Sequence, residues 1–347
     1  MRVLVTGAAG FLGLHLADFL SGKKVDLVLL DLALFDKTEY RRKATFVKGD
    51  IRDKKLMDKV TKKVDLVVHA AAALPLWRKE DIFEVNVGGT SNLLEASLKN
   101  KVKHFIYISS TAVYGIPTKH PVFENDPLIG VGPYGTSKIQ AEKLCKEHRK
   151  RGLIVTVIRP KTFLGTHRLG VFEILFDWIK DGKQIPVVGY GNNRYQLLDV
   201  DDLVEAIYLF ATAKNKIQVD DVFNIGAQKF GTVRQDLEAL FRYARSGSRV
   251  LPTPAFWIKK TLWVLEQMRL SPLYQWVYET ADKDSFVSIN KLVKTLKWNP
   301  RYSNSDSLIK AYQWYLDNYK EIKSQTPGIT HTVGWNQGIL GFFKKWL

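Results

Sequence analysis

The first 31 residues, MRVLVTGAAGFLGLHLADFLSGKKVDLVLLD, leave a folding chain few choices. A short apolar run at residues 3–5 stops at Thr6, and Gly7, Gly10 and Gly13 follow with the spacing G-x-x-G-x-x-G. Residues 11–20 read as a helix with Gly22 as its stop, and a second apolar run, residues 25–30, ends in Asp31. The expected order is strand, glycine turn, helix, strand, acid. In such a unit the first glycine permits a tight turn, the second admits a pyrophosphate against the backbone, and the third lets the helix pack close to the sheet. The helix N-terminus offers unpaired N–H groups and the positive end of its dipole to the phosphates. An acid about 20 residues beyond the glycines is placed to hold adenosine ribose hydroxyls. Asp31 also repels a 2′-phosphate, and no Arg or Lys follows it before Lys37, so NAD is expected rather than NADP. A flexible glycine loop and a surface carboxylate are the simpler alternatives; the complete strand–turn–helix–strand–acid order argues against both.

The rest of the first half keeps the same rhythm. Residues 45–47 read as a strand leading into Gly49-Asp50-Ile51-Arg52-Asp53, residues 54–62 as a helix, and residues 64–69 as a buried strand ending in Ala70-Ala71-Ala72. Small residues there let a ligand lie against the backbone at a strand's carboxyl end. A helix at 82–98 containing Asn86, a strand at 102–108 running into Ser109-Ser110-Thr111, a helix at 133–149 and a strand at 153–158 follow. Strands alternating with helices imply βαβ units. The expected fold is α/β, a Rossmann-type doubly wound parallel sheet with a smaller C-terminal substrate-binding lobe. Residues 1–160 would form the NAD-binding domain, with 197–226 returning to it. Residues 161–196 and 227–325 would form the lobe, and 326–347 an apolar, basic tail. Within the second half, helices are expected at 172–180, at 202–213 with Asp201 or Asp202 as cap, at 232–245 capped by Thr232, and at 305–319, with 182–193 a loop.

Tyr134 and Lys138 stand at Y-x-x-x-K on a predicted helix, where positions i and i+4 share a face. A lysine ammonium, helped by the cation of oxidised nicotinamide, would favour the phenolate and lower the tyrosine pKa. Such a tyrosine exchanges a proton with a substrate hydroxyl as hydride moves. Ser110, at a strand's carboxyl end, is placed to donate to a substrate oxygen that gains charge, with Ser109 and Thr111 competing for the role. Asn86 is placed to orient backbone or water near Lys138. A plain helix surface and a turn-capping serine are the alternatives for these motifs taken singly.

Together, Thr6-Gly7-Ala8-Ala9-Gly10-Phe11-Leu12-Gly13, Gly49-Asp50-Ile51-Arg52-Asp53, Ser109-Ser110-Thr111-Ala112-Val113-Tyr114-Gly115, Pro133-Tyr134-Gly135-Thr136-Ser137-Lys138 and Arg159-Pro160 resemble the extended short-chain dehydrogenase/reductase family, in particular its NAD-dependent epimerase/dehydratase group. The resemblance runs over residues 1–320. It implies that Ser110, Tyr134 and Lys138 are the catalytic triad, Ser110 being chosen over Ser109 by its distance from Val113-Tyr114-Gly115. It implies that Asp50 and Ile51 hold the adenine and that Ala70, Ala71 and Ala72 line the cofactor. The expected cofactor set further includes Gly7, Ala9, Gly10, Phe11, Leu12, Gly13, Asp31, Asn86, Ser109, Tyr134, Lys138 and Pro160. Substrate is expected at Thr111, Thr162, Arg194 and Arg249. Two departures matter: Thr111-Ala112 stand where sugar-nucleotide dehydratases carry Asp-Glu, and Thr162 stands where many sugar-nucleotide enzymes carry Asn. The first argues against a 4,6-dehydratase.

The single cysteine, Cys145, excludes an intramolecular disulfide, no Cys/His cluster suggests a metal, and no run nears the roughly 20 apolar residues of a membrane span. With strand at residue 3 there is no room for a signal peptide, so a cytoplasmic setting is expected. The net charge of +17 comes without a nucleic-acid motif. It reads first as a solvated surface, then as attraction to a phosphate-bearing substrate, then to a membrane surface. The tail, with Phe342, Phe343, Lys344, Lys345 and Trp346, is expected to dock on the domain or on a second subunit, or to lie peripherally at a membrane. The first expectation for function is an NAD-dependent epimerase of a nucleotide sugar, working through a transient keto intermediate. The alternatives are a dehydrogenase of a hydroxylated lipid or sterol-like alcohol, motivated by the Trp- and Phe-rich residues 254–278, and a cofactor-binding scaffold held at a membrane. A homodimer through the helices at 82–98 and 133–149 is expected from the resemblance.

Overall fold

Side-chain alternation along the first strand divides the core into two layers. Val3 and Val5 enter one apolar cluster with Leu27, Leu29, Leu16 and Leu20, whereas Leu4 enters another with Val28, Leu30, Leu93 and Cys145. Both faces of the sheet are therefore covered, as a parallel sheet requires. The computed structural model describes residues 1–40, 44–75, 77–267, 275–324 and 344. Most of the expected tail at 326–347 and part of segment 254–278 thus lie outside the described residues.

The first half contains β1 (Arg2–Thr6), α1 (Phe11–Ser21), β2 (Asp26–Asp31), β3 (Thr45–Lys48), α2 (Lys54–Val60), β4 (Leu66–His69), α3 (Lys79–Phe83), α4 (Thr90–Lys99), β5 (His104–Ile108), α5 (Gly132–Lys150) and β6 (Val155–Pro160). Then come β7 (Phe163–Leu164), α6 (Val171–Lys180), β8 (Ile185–Val188), β9 (Leu198–Asp199), α7 (Val200–Thr212), β10 (Val222–Ile225), α8 (Val233–Ala244), β11 (Val250–Thr253), α9 (Ala255–Gln267), α10 (Gln275–Thr280), α11 (Asn290–Leu296), α12 (Asn304–Asp317) and α13 (Tyr319–Ser324).

Seven strands form one parallel sheet in the order β10-β6-β5-β4-β1-β2-β3. The order reverses between β1 and β4, which opens a crevice at their carboxyl ends where open α/β sheets take ligands. α1 and α7 cover one face; α2, α4 and α5 cover the other. A third core joins α6, α8 and α12 through Ile174, Phe176, Leu237, Leu240, Ala311 and Tyr315. It sits with β8 and β11, which pair in parallel as a separate two-stranded sheet.

The structure differs from the sequence reading in three local ways. The helix expected at 82–98 is broken by a π-helical turn over Glu84–Gly89, where Asn86 turns inward to bond backbone. The expected loop at 182–193 contains strand β8. The cap of α7 is Asp199, whose carboxylate accepts the Asp201 N–H at 2.9 Å; Asp201 and Asp202 are in the first turn. Asp202 instead accepts N–H groups of Arg301 and Tyr302.

Candidate active site

The crevice between β1 and β4 widens into a cleft of about 780 Å³. One end is built by the glycine turn. Gly7 has φ +71°, and a Cβ there would lie 2.6 Å from the Ala71 backbone nitrogen. Gly13 is not on the cleft surface; its missing Cβ lets α1 sit against the turn, since a Cβ would lie 2.3 Å from the Gly7 carbonyl oxygen. Gly10 caps α1 with no side chain, and no acid occupies the helix's first turn, so the positive end of α1 is open to an anion. Asp31 braces this turn: one carboxylate oxygen accepts the Ala9 N–H and the other the Ala33 N–H, each at 2.9 Å. Asp31, Asp36 and Glu39 all line this end, which opposes a 2′-phosphate. Among the described residues, the one cation lining this end is Arg52, which is engaged with Asp50 at 2.6 Å and Glu84 at 3.0 Å. An anion-ready helix end, a side-chain-free turn and an acidic adenosine end fit NAD. Ala9, Gly10, Phe11, Leu12, Asp50, Ile51, Ala70, Ala71, Ala72 and Pro160 line the same cleft.

Beneath it runs a buried chain of hydrogen bonds. Thr6 Oγ1 lies 2.7 Å from His69 Nδ1, His69 Nε2 lies 2.9 Å from Thr90 Oγ1, and Thr90 donates to the Asn86 carbonyl at 2.7 Å. Burial lowers the His69 pKa to about 3, so the ring is neutral and rigidly paired. Asn86 is not on the cleft. Its side chain accepts the Ala73 N–H at 2.8 Å and donates to Ser137 Oγ at 3.0 Å, so it pins the loop behind the cleft-lining alanines.

The other end carries the reactive groups. Ser110 caps the turn Thr111–Tyr114, its Oγ accepting the Ala112 N–H at 3.1 Å, and its hydroxyl is near enough to the Tyr134 phenol to favour the phenolate. Ser109, by contrast, donates to Glu142 at 2.6 Å within a buried network. There Glu142 receives Arg159 Nε at 2.9 Å, and Arg159 also donates to Tyr114. The structure thus brings Ser110, not the Ser109 hydroxyl, to the phenol. Lys138 is buried, donates to the Ile108 carbonyl at 3.0 Å and lies 5.8 Å from the Tyr134 ring centroid. Burial lowers its pKa to about 8, although Glu142 favours the ammonium.

The expected lowering of the Tyr134 pKa is not what these groups produce by themselves. Burial pushes the phenol up to about 12, against the opposing pulls of the Ser110 hydrogen bond and the Arg168 charge. Desolvating a phenolate outweighs these two contributions. Thr111 lines the cleft, and its hydroxyl is buried with no hydrogen-bond partner among the described residues. Thr162 also lines it, 3.4 Å from the Tyr195 hydroxyl.

Two expected substrate arginines are elsewhere. Arg194 is exposed and stacks on Phe230 and Phe286, with ring centroids at 4.7 and 4.8 Å, and Arg249 is exposed at the edge of β11. Neither lines the cleft. Among the described residues, the cations that do, beyond Lys138, are Arg52, Lys161 and Arg168, which sequence reasoning missed. Arg168 lies 5.1 Å over the Phe11 ring, at the start of α1. Lys161 is buried, donates to Ser285 at 2.7 Å, and has its pKa lowered to about 7 by burial. A lysine directly after Arg159-Pro160 was the available signal; nothing local marks Arg168.

Among the described residues of the aromatic segment that motivated a lipid alcohol, none lines the cleft. Phe256, Trp257 and Trp263 are exposed on α9, so they give no apolar lining to a lipid site.

Fold and cleft define an α/β enzyme that binds NAD at the switch point of a doubly wound sheet. Residues 3–226 match the model of the NAD dependent epimerase/dehydratase family, and the chain belongs to that family, of the extended short-chain dehydrogenase/reductase type. It is 36% identical over 91% of its length to an uncharacterized protein of Sinorhizobium fredii, covering 78% of that protein. It is 33% identical to a putative UDP-glucose 4-epimerase of Methanocaldococcus jannaschii, over 67% of this chain and 79% of that one. A crystal structure of UDP-glucose 4-epimerase with UDP-glucose from Thermotoga maritima superposes with a TM-score of 0.77 at 25% identity, covering 92% of this chain and all of that one.

Proposed function

We propose that this protein is an NAD-dependent epimerase of a nucleotide sugar, working through a transient keto sugar. The observation that carries the reading is one continuous cleft lined at one end by the glycine turn and at the other by Ser110, Tyr134 and Lys138. Support for the substrate class comes from the relatives, two of which are named as UDP-glucose 4-epimerases. Bound NAD supplies a reversible hydride acceptor and, when oxidised, a positive ring charge.

The chain's own residues handle the proton. Tyr134 takes the proton of a sugar hydroxyl at its phenolic oxygen and returns it when the carbonyl is reduced. Ser110 Oγ accepts from the Ala112 backbone, which leaves its proton free to be donated to the phenol or the substrate oxygen. Lys138 holds a positive charge below pH 8 beside the Tyr134 ring, and its bond to the Ile108 carbonyl fixes where that charge sits. Arg168 adds a second positive field at the phenol. Each favours the phenolate against burial, a differential worth about 1.4 kcal/mol per pKa unit. Thr111, Thr162 and Lys161 are the candidates to orient the sugar.

Mass spectrometry of small molecules released from the purified, denatured protein tests this directly. NAD with a nucleotide sugar is expected; NAD with a lipid alcohol, or no dinucleotide, would contradict the reading.

A further inference from the structure

α9 is amphipathic in an inverted sense. Its inner side is set by Ile258, Leu262 and Leu265, of which Leu262 is buried at 7% exposure. Its outer side carries Phe256, Trp257, Trp263 and Val264, which are 68%, 65%, 50% and 41% exposed. At 100° per residue these four, together with exposed Lys260, fall within about one third of the helix circumference. Lys259 stands off this stripe, held by Asp282 at 2.5 Å. The stripe therefore offers three large aromatic side chains with a solvated ammonium among them. A cleft function does not use it, because none of these residues lines the cleft.

We infer that this α9 face is a membrane-surface site that seats in the interface of an anionic bilayer. Two arguments select that occupant over a second copy of the chain. Two tryptophans and a phenylalanine on one face with a solvated lysine between them is the chemistry of a helix lying at the headgroup level, rings inward and ammonium toward lipid phosphates. The chain carries a net charge of +17, which attracts it to an anionic leaflet and opposes face-to-face pairing of two identical basic molecules. No described helix is long and apolar enough to cross a membrane, so the association is peripheral. Lys344, from the C-terminal tail, is held by Asp177 at 2.5 Å and Asp181 at 2.7 Å, on and just after α6. That cation is therefore engaged by the carboxylates of α6 and its C-terminal end.

Co-sedimentation of the full chain with phosphatidylglycerol/phosphatidylcholine vesicles, and with phosphatidylcholine alone, tests the inference. Wild-type protein is expected to bind the anionic vesicles at least tenfold more tightly and to lose that preference in high salt. Trp257→Glu/Trp263→Glu is expected to weaken binding at least tenfold while bound NAD and thermal melting stay as in wild type. Wild-type protein that does not bind, or a double variant that binds equally well, overturns the site. So does a double variant whose assembly size falls by half in solution, because the face would then join two copies. Loss of binding only on removing residues 325–347 also overturns it and assigns the contact to the tail.

Discussion

Gly13→Ala puts two large effects in opposition. Helix propensity favours alanine, by about 0.5–1 kcal/mol for a residue inside a helix. Packing opposes it. The added Cβ would lie 2.3 Å from the Gly7 carbonyl oxygen and 2.5 Å from the Ala8 Cα, both backbone atoms of the turn that must stay put to cradle phosphates. Ordinary contact begins near 3.4 Å, so α1 must retreat by about 1 Å. Phe11, Leu12, Leu16, Ala17 and Leu20 anchor that helix in the core and would move with it. Overpacking of this kind costs about 1–3 kcal/mol, and with backbone on both sides the upper half of that range applies. The variant is expected to be less stable by roughly 1–2 kcal/mol net and to lose NAD, because the N–H groups of α1 withdraw with the helix. Gly22→Ala is the matched control. Gly22 sits at φ −74°, ψ −7°, and a Cβ there clears the nearest backbone oxygen at 3.4 Å. Its change should stay within about 0.5 kcal/mol. Urea unfolding midpoints and the NAD released per chain read both. A Gly13→Ala protein as stable as Gly22→Ala and equally loaded with NAD would refute the close-approach argument.

Asp31→Ala removes a carboxylate that holds two backbone N–H groups at 2.9 Å, so NAD affinity is expected to fall at least tenfold by calorimetry, with a smaller loss for NADP. Equal losses for both would show that Asp31 does not read the ribose. Lys138→Met removes the buried cation beside Tyr134; turnover should fall and the pH–rate profile shift toward higher pH, and an unshifted profile would discount the lysine's charge. Stability should drop in mild acid. Burial lowers His69 and His104 from 6.5 to about 3, so below pH 6.5 the unfolded chain binds protons that the folded chain refuses. Each histidine then costs about 1.4 kcal/mol per pH unit, or about 2 kcal/mol at pH 5. Comparing unfolding midpoints at pH 7 and 5, His104→Gln should recover about that amount, and an unchanged drop would mean His104 is not held neutral.

Much of the nucleotide half was legible because its signals are local. Gly7, Gly10, Gly13 and Asp31 specify a turn, a helix end and a strand end within one short stretch; the structure brings Gly7, Gly10 and Asp31 to one cleft and packs Gly13 against the turn behind it. Tyr134 and Lys138 were legible as a helical pair. What escaped was set by distant packing. The π-helical turn at Glu84–Gly89 is stabilised by Asn86 reaching the Ala73 backbone, a contact that propensity does not encode. β8 is stabilised as a strand by pairing with β11, more than sixty residues later. Asp199, Asp201 and Asp202 all favour a helix cap, and only the far partners Arg301 and Tyr302 show why Asp202 faces inward. Arg194 and Arg249 are expected at the substrate from the family resemblance, which says nothing about which arginine faces the cleft; the rings of Phe230 and Phe286 hold Arg194 outside it. The Tyr134 acidity of the protein alone was not legible because desolvation, the largest effect on it, is a property of the folded cleft.

The central claim is that the Tyr134 phenol moves the proton in a reaction with no net redox change. Wild-type protein and Tyr134→Phe, each verified to hold NAD, should be incubated with a panel of nucleotide sugars while stereoisomeric product and reduced-nicotinamide absorbance are followed. The account predicts product without net absorbance change in wild type, and turnover lower by roughly a hundred- to ten-thousand-fold in the variant. Steady accumulation of reduced cofactor, or a Tyr134→Phe protein that epimerises as fast as wild type, would contradict it.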